Sequence, residues 1–227
     1  MRWEKLLFLH WPLPPAALAS LLPPGVTLET FRGAAWLGIV PFIMCDVHPR
    51  FLPSLPGISG FPELNVRTYV SVNGVPGVWF FSLEAANPVA VRLARTGFHL
   101  PYFNARMRAR VSRGEMRFES RRTHHRASPA SFSARYRPVP GPLSTDADLA
   151  HFLTARYRLY SANAEGKLFR ADIFHAPWRL ARADVGLVEP PDAMTRQLGL
   201  SLPTLPPLVY YAERTDVRAG LPYRVST

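Results

Sequence analysis

Glu63, Asn65, Arg67 and Tyr69 stand at alternate positions of one short run. In an extended strand this parity points a carboxylate, an amide, a guanidinium and a phenol to the same side. In a closed interior the glutamate could move a proton, the arginine could pair with an anion, and the amide and phenol could orient what they hold. The wet side of an open sheet has the same alternation, and alternation alone favours that plainer reading. Three other clusters carry recognition groups: Leu100-Pro-Tyr102-Phe-Asn104-Ala-Arg106, Arg156-Tyr157 with Tyr160, and His175-Ala-Pro-Trp178. Each of them could equally serve packing or turn formation.

Several chemistries lack their parts. His124-His125 sits in an arginine-rich stretch without a suitably spaced carboxylate, and no His-Glu-x-x-His can be written, so neither metal nor cofactor is expected. Gly-rich phosphate loops and the Gly-x-Ser-x-Gly elbow are missing. The lone cysteine, Cys45, follows the apolar run Ile39 to Met44 and reads as a buried structural thiol; its isolation excludes an intrachain disulfide and suits a cytoplasmic location. With 25 Arg but only 2 Lys, amine chemistry rests on Lys5, Lys167 or an N-terminus.

The elements that would position these groups are short strands with a few helices. Pro14 to Leu22 reads as a proline-initiated helix closed by Pro23-Pro24-Gly25. Val26 to Phe31 and Trp36 to Val47 are expected to form a hairpin, the second arm apolar on both faces as a central strand would be. Glu63 to Val72 turns through Asn73-Gly74 into Val78 to Leu83. A helix follows, with Asn87 as N-cap, Pro88 in its first turn and Gly97 as the left-handed C-terminal residue. Ala105 to Val111, Glu115 to Arg121 and Ser131 to Arg137 form a meander. Ser144 to Leu153 is helical, Tyr157 to Ala162 pairs with Leu168 to His175, and Leu208 to Ala212 is a last apolar strand. This pattern predicts one antiparallel α+β domain over residues 1–227, a barrel or half-closed sheet.

The net charge of +11 is concentrated. Ten arginines and two acids lie between Arg106 and Arg137, with Arg106, Arg108 and Arg110 on one parity. Such a face can hold nucleic-acid phosphates. A solvated exterior is the favoured reading, since no nucleic-acid motif or stacking aromatic accompanies the arginines. The apolar run Gly33 to Cys45 falls short of the ~20 residues a membrane helix needs. Glu4, His10, Trp11 and Pro12 interrupt any signal-peptide core. Neither membrane association nor export is expected.

Taken together, Leu6-Leu-Phe-Leu-His10-Trp-Pro12, Trp36-Leu-Gly-Ile-Val-Pro-Phe42, Phe61-Pro-Glu-Leu-Asn-Val-Arg-Thr-Tyr-Val70, Gly77-Val-Trp-Phe-Phe-Ser-Leu83, Leu100-Pro-Tyr102, Arg156-Tyr-Arg-Leu-Tyr160 and His175-Ala-Pro-Trp178 resemble the YqjF-like family of uncharacterised bacterial proteins. That family is in turn similar to acetoacetate decarboxylase. The resemblance implies a cone-like, mainly antiparallel β-barrel with flanking helices, an internal cavity and frequent oligomerisation. It also raises the interior reading of Glu63 and Arg67. Where the decarboxylase carries a Gly-Phe-Pro-Lys-Lys stretch supplying its Schiff-base amine, this chain has Gly97-Phe-His-Leu-Pro-Tyr102-Phe103. Tyr102 would take the nucleophile's place, Glu63 would match a pocket carboxylate, and the N-terminal arginine of that pocket is replaced around Trp11-Pro12. The expectation is a pocket for a small carboxylate- or carbonyl-bearing molecule. Glu63 and Tyr102 would be its catalytic pair, and Asn65, Arg67, Tyr69, Asn104, Arg106, Tyr157, His175 and Trp178 its contacts. Schiff-base decarboxylation is not expected. A binding protein without turnover, or a nucleic-acid binder using the arginine face, are the alternatives.

Overall fold

The computed structural model describes residues 1–47, 59–143 and 146–226. Its strands, in chain order, are β1 (Arg2–Leu13), β2 (Thr27–Leu28), β3 (Ala35–Cys45), β4 (Phe61–Val72), β5 (Val75–Ala85), β6 (Tyr102–Ser112), β7 (Glu115–Arg122), β8 (Ser131–Val139), β9 (Arg158–Ala162), β10 (Leu168–His175), β11 (Leu180–Leu187), β12 (Leu208–Ala219) and β13 (Tyr223–Arg224). Four helices intervene: α1 (Pro15–Ala19), α2 (Pro88–Gly97), α3 (Ala147–Thr154) and α4 (Asp192–Thr195).

The strand pairings close a ring. β12 pairs with β1, and the ladder runs on through β3, β4, β5, β9 and β10 back to β12. Only the β5–β9 step of this ring is parallel. A second sheet leaves the ring where the C-terminal end of β5 pairs in parallel with β6, then runs antiparallel through β7, β8 and β11 and rejoins at β12. It lies over the outside of the β1–β3–β4 wall. Leu7, Leu9, Leu37, Ile39, Leu64 and Val66 face this outer layer and pack with Met116, Phe118, Phe132 and Tyr136. Leu6, Phe8, Val40 and Phe42 face the ring's interior. A wall covered on both sides explains why β3 is apolar on both faces, each fully buried aliphatic contributing about 1.5–3 kcal/mol.

Turn chemistry follows the sequence closely. Asn73 and Gly74 take φ of 51° and 74° between β4 and β5, and Arg113 and Gly114 take 49° and 80° between β6 and β7, as two-residue hairpins require. Asn87 caps α2, its Oδ1 accepting from the amides of Val89 and Ala90 at 3.0 and 3.1 Å.

Other expectations are corrected. β1 was not anticipated as a strand. β2 pairs with β4, not β3, so the expected Val26–Val47 hairpin is replaced by a single Phe31–Ala34 bridge. Gly97 remains helical, and the left-handed residue after α2 is His99 (φ 52°). β11 was unassigned, and β12 runs on to Ala219 because its charged second half still pairs with β1 and β10. The helix expected from Ser144 begins at Ala147 with Asp146 as its cap, while 144–145 lie outside the described residues.

Gly77 sits where β5 meets β9. A Cβ there would lie 2.7 Å from the Tyr160 ring and 2.8 Å from the Arg158 carbonyl oxygen. The ring cannot withdraw freely, since the Tyr160 hydroxyl donates to the Val75 carbonyl at 2.9 Å. Gly77→Ala is expected to destabilise by about 1–3 kcal/mol through overpacking at the ring's closing seam. A urea melt unchanged from wild type would show that the seam yields.

Candidate functional site

The ring encloses a cavity of about 180 Å³. β4 sends Glu63, Asn65 and Arg67 into it, alternate residues of one strand face. Its walls are otherwise mainly apolar, with Phe8, Val40, Phe42, Leu83 and Leu100 among them. Tyr102, the first residue of β6, reaches Glu63 because β6 lies beside β5 in parallel register, Leu83 opposite Tyr102. The Tyr102 hydroxyl donates to Glu63 Oε2 at 2.9 Å. Glu63 is 2% exposed and Tyr102 8%. Burial lifts the Glu63 carboxyl to about 8, against the opposing pull of the Tyr102 hydrogen bond and with a further push from the charge of Glu84. The Tyr102 phenol is raised well above its ordinary value, by burial first and by Glu63 second. At neutral pH both groups hold protons, and the pair can donate one to a ligand oxygen or accept one from carbon once Glu63 ionises.

Arg67 lies on the same strand face but its head goes elsewhere. Its guanidinium sits 5.6 Å from the Phe8 ring centroid and 5.7 Å from that of Tyr69. Nη2 donates to the Leu153 carbonyl at 3.4 Å, and the buried Nε has no partner. Among the described residues no carboxylate lies within 4 Å of it. Glu29 is instead engaged by Arg156 at 2.6 Å. Tyr69 does not line the cavity; its hydroxyl meets His10 Nε2 at 2.6 Å. Burial, and secondarily the charge of Arg67, hold the His10 imidazole well below its ordinary value, so it is neutral.

His175 and Trp178 line the same cavity, their rings tilted at 46° with centroids 4.6 Å apart, and the Trp178 indole N–H donates to the Thr154 carbonyl at 2.8 Å. The Tyr157 ring packs tilted against His175, with centroids 4.7 Å apart, and is not part of the lining. Asn104 lies beyond the cavity, on β6 next to His124, whose Nδ1 accepts from the Asn104 backbone N–H at 3.1 Å. Arg106 is exposed on the outer face of β6, opposite Arg121. The expectation that Asn104 and Arg106 contact a cavity ligand is thereby corrected: they share the strand face of Tyr102, but β6 leaves the cavity immediately after Tyr102, so that face is turned outward by Arg106.

A buried ion pair lies between the layers, unforeseen in the sequence. Nε of Arg122 donates to Glu84 Oε1 at 3.0 Å and Nη2 donates to the same oxygen. Nη1 donates to Gln197, and Ser82 Oγ donates to Glu84 Oε2 at 3.3 Å. The guanidinium also stacks 4.0 Å from the Phe103 ring centroid. Burial raises the Glu84 carboxyl and Arg122 pulls it back down. Two signals were readable: Glu84 is the single charge in Val78 to Ala85, and adjacent Arg121 and Arg122 on one strand must face opposite ways.

Arg106, Arg108, Arg110, Arg117, Arg121, Arg135 and Arg137 are exposed on β6, β7 and β8, forming one outer face. Lys5 and Lys167 pair with Glu213 and Glu165, and neither lines the cavity. Among the described residues no three His, Cys, Asp or Glu side chains cluster as metal ligands would, and no helix is long and apolar enough to cross a membrane.

Residues 1–216 match the sequence family DUF2071, described as an uncharacterized conserved protein. The chain is similar to the uncharacterized protein YqjF of Bacillus subtilis (strain 168), 41% identical over 216 residues that cover 95% of this chain and 87% of that protein. Among solved structures it is similar to the enduracididine biosynthesis enzyme MppR, complexed with the condensation product of pyruvate and imidazole 4-carboxaldehyde. That match has a TM-score of 0.65 and 14% identity, and covers 98% of this chain and 87% of the other. It is also similar to the acetoacetate decarboxylase of Legionella pneumophila subsp. pneumophila str. Philadelphia 1, with a TM-score of 0.64, 13% identity and coverage of 100% and 88%. These likenesses show the acetoacetate decarboxylase-like fold.

Proposed function

We propose, for a chain that belongs to the DUF2071 family of uncharacterized conserved proteins, that the ring cavity binds a small carboxylate- or carbonyl-bearing molecule and carries out proton transfer on it without a lysine. The observation that carries this reading is the Glu63–Tyr102 hydrogen bond at 2.9 Å inside a largely apolar cavity. A glutamate proton-bearing near neutral pH can move a proton to or from the carbon beside a carbonyl, and the adjacent phenol can donate to the developing oxyanion. Enolisation, hydration or dehydration suits such a pair. Lysine catalysis does not, since Lys5 and Lys167 lie outside the cavity in ion pairs. Solved structures of similar fold were determined with pyruvate or its condensation product, which supports small oxo compounds as the class to test.

The experiment is a thermal-shift screen of small acids and carbonyl compounds on wild type and Glu63→Gln, followed by NMR of α-proton exchange in D2O with whichever compound stabilises. Exchange is expected to fall at least ~100-fold in Glu63→Gln while the ligand still raises the melting midpoint. Borohydride is expected to trap no lysine adduct; an adduct trapped on Lys5 or Lys167 would overturn the lysine-independent reading. A second reading, binding without turnover, draws on one observation: the Tyr102 proton is directed at Glu63 itself. Ligand stabilisation with no exchange above background in wild type would select it.

A further inference from the structure

The two ends of the polar strip on β4 point apart, and this constrains the shape of what can use both. Along a strand each residue advances about 3.3 Å, so the Glu63 and Arg67 α-carbons are ~13 Å apart; the extra residue at the register irregularity, Phe81, belongs to β5. The side chains do not converge to close that gap. Glu63 is held toward β6, on the β5 side of β4, by the Tyr102 hydroxyl. Arg67 reaches the other way, across β3 to the Phe8 ring of β1 and on to the Leu153 carbonyl. Between them the lining includes Val40 and Phe42 on β3 and Leu83 on β5. One polar side chain stands midway: Asn65, 5% exposed, with its buried Oδ1 unpartnered.

Resting on the reading that this cavity holds a small oxo acid, we infer that its ligand is a linear acid with two separated poles. The carboxylate engages Arg67, the carbonyl carbon lies against Glu63 and Tyr102, and an apolar chain with one polar contact to Asn65 runs between. A carboxylate adjacent to the carbonyl, or one carbon removed, cannot touch both ends. Because the heads turn apart, the α-carbon separation is a lower bound on theirs. Subtracting a hydrogen bond of about 3 Å at each end leaves no less than ~7 Å from carboxylate oxygen to carbonyl oxygen, roughly the five or six bonds between those oxygens in a five- or six-carbon oxo acid. The cavity volume agrees: a ~150 Å³ protein cavity accommodates benzene, so about 180 Å³ holds a five- or six-carbon oxo acid and excludes nucleotides and coenzyme thioesters. Among the arginines that line the cavity, Arg67 is the fitting anchor because Arg156 and Arg158 face Glu29 at 2.6 Å and Asp172 at 3.8 Å, whereas no carboxylate among the described residues pairs with Arg67.

The test is isothermal titration of the full chain with pyruvate, acetoacetate, 4-oxopentanoate and 5-oxohexanoate, alongside 2-pentanone as a carboxylate-free control. The two longer acids are expected to bind at least tenfold tighter than the two shorter ones. Arg67→Gln should weaken the longer acids at least tenfold and leave 2-pentanone unchanged, while Arg67→Lys, which keeps the charge, should retain most of the affinity. Comparing acid with ketone on one variant separates a lost anchor from a damaged fold. Equal or tighter binding of pyruvate or acetoacetate, or equal weakening of acid and ketone by Arg67→Gln, would overturn the two-pole ligand and leave the oxo-acid pocket standing. No binding by any of the five compounds would overturn both.

Discussion

Arg122→Met is expected to cost about 3–5 kcal/mol of folding stability, the cost of leaving one partner of a buried ion pair alone. Glu84 is fully buried and Arg122 7% exposed, so the carboxylate left behind has no water to replace the guanidinium. It must protonate or unfold its surroundings, and either outcome lowers stability more as pH rises above the carboxylate range. The replacement also frees Gln197 and removes the guanidinium from the face of Phe103. Arg106→Met supplies the contrast. It changes the same residue type in the same basic stretch, but on the exposed face of β6, and is expected within about 0.5 kcal/mol of wild type. The double replacement Glu84→Gln with Arg122→Met should recover part of the loss, because it removes the stranded charge. Urea melts at pH 7 on the four proteins check this; an Arg122→Met loss no larger than that of Arg106→Met would show that the pair carries no burden.

That contrast also shows what the sequence could and could not reveal. Strand parity placed Glu63, Asn65 and Arg67 on one face and the exposed arginines on another, because period two is a local property of the chain. It could not say which face of β4 looks inward, since a wall buried on both sides has no wet face to contrast with. The resemblance to a barrel enzyme chose the interior. Tyr102 was found through the position of a missing lysine, whereas its contact with Glu63 depends on the parallel β5–β6 step, a pairing between distant segments. β1 escaped notice because Leu6 to Leu9 are apolar on both faces, showing no alternation, and two tryptophans and prolines surround them. Arg106 was overread for the opposite reason: it follows Tyr102 closely in sequence, yet the strand carries it out of the cavity within a few residues. The Glu84–Arg122 pair joins β5 to β7 across the layers, and no local pattern announces which charges meet there.

The ionisation of Glu63 should leave a second large signature, in the pH dependence of stability. Its folded carboxyl is raised from 4.5 to about 8. Between those values the native state keeps a proton that the unfolded chain has released. The unfolded chain thus binds fewer protons across that window, and stability must fall as pH rises through it. The contribution is intact below about pH 4.5, declines from there to about 8, and is fully lost above. At roughly 1.4 kcal/mol per pH unit, the complete loss is on the order of 5 kcal/mol. Glu63→Gln removes the titration while leaving an amide oxygen to accept from Tyr102. The variant should therefore gain on wild type steadily from pH 5 to 8, reaching a constant advantage near pH 9. Denaturant melts of both proteins across pH 5–9 measure it, and a stability difference that does not change with pH would mean Glu63 ionises as an ordinary carboxylate. The same titration bears on chemistry: above about pH 8 the cavity loses its carboxylic proton, so a step in which Glu63 acts as acid should fade there, whereas one in which it begins as base should grow. The double replacement of Glu84→Gln with Arg122→Met provides the internal control, since it withdraws the neighbouring charge that helps raise Glu63 without stranding the arginine, and it should move both the stability inflection and the pH–rate midpoint to lower pH.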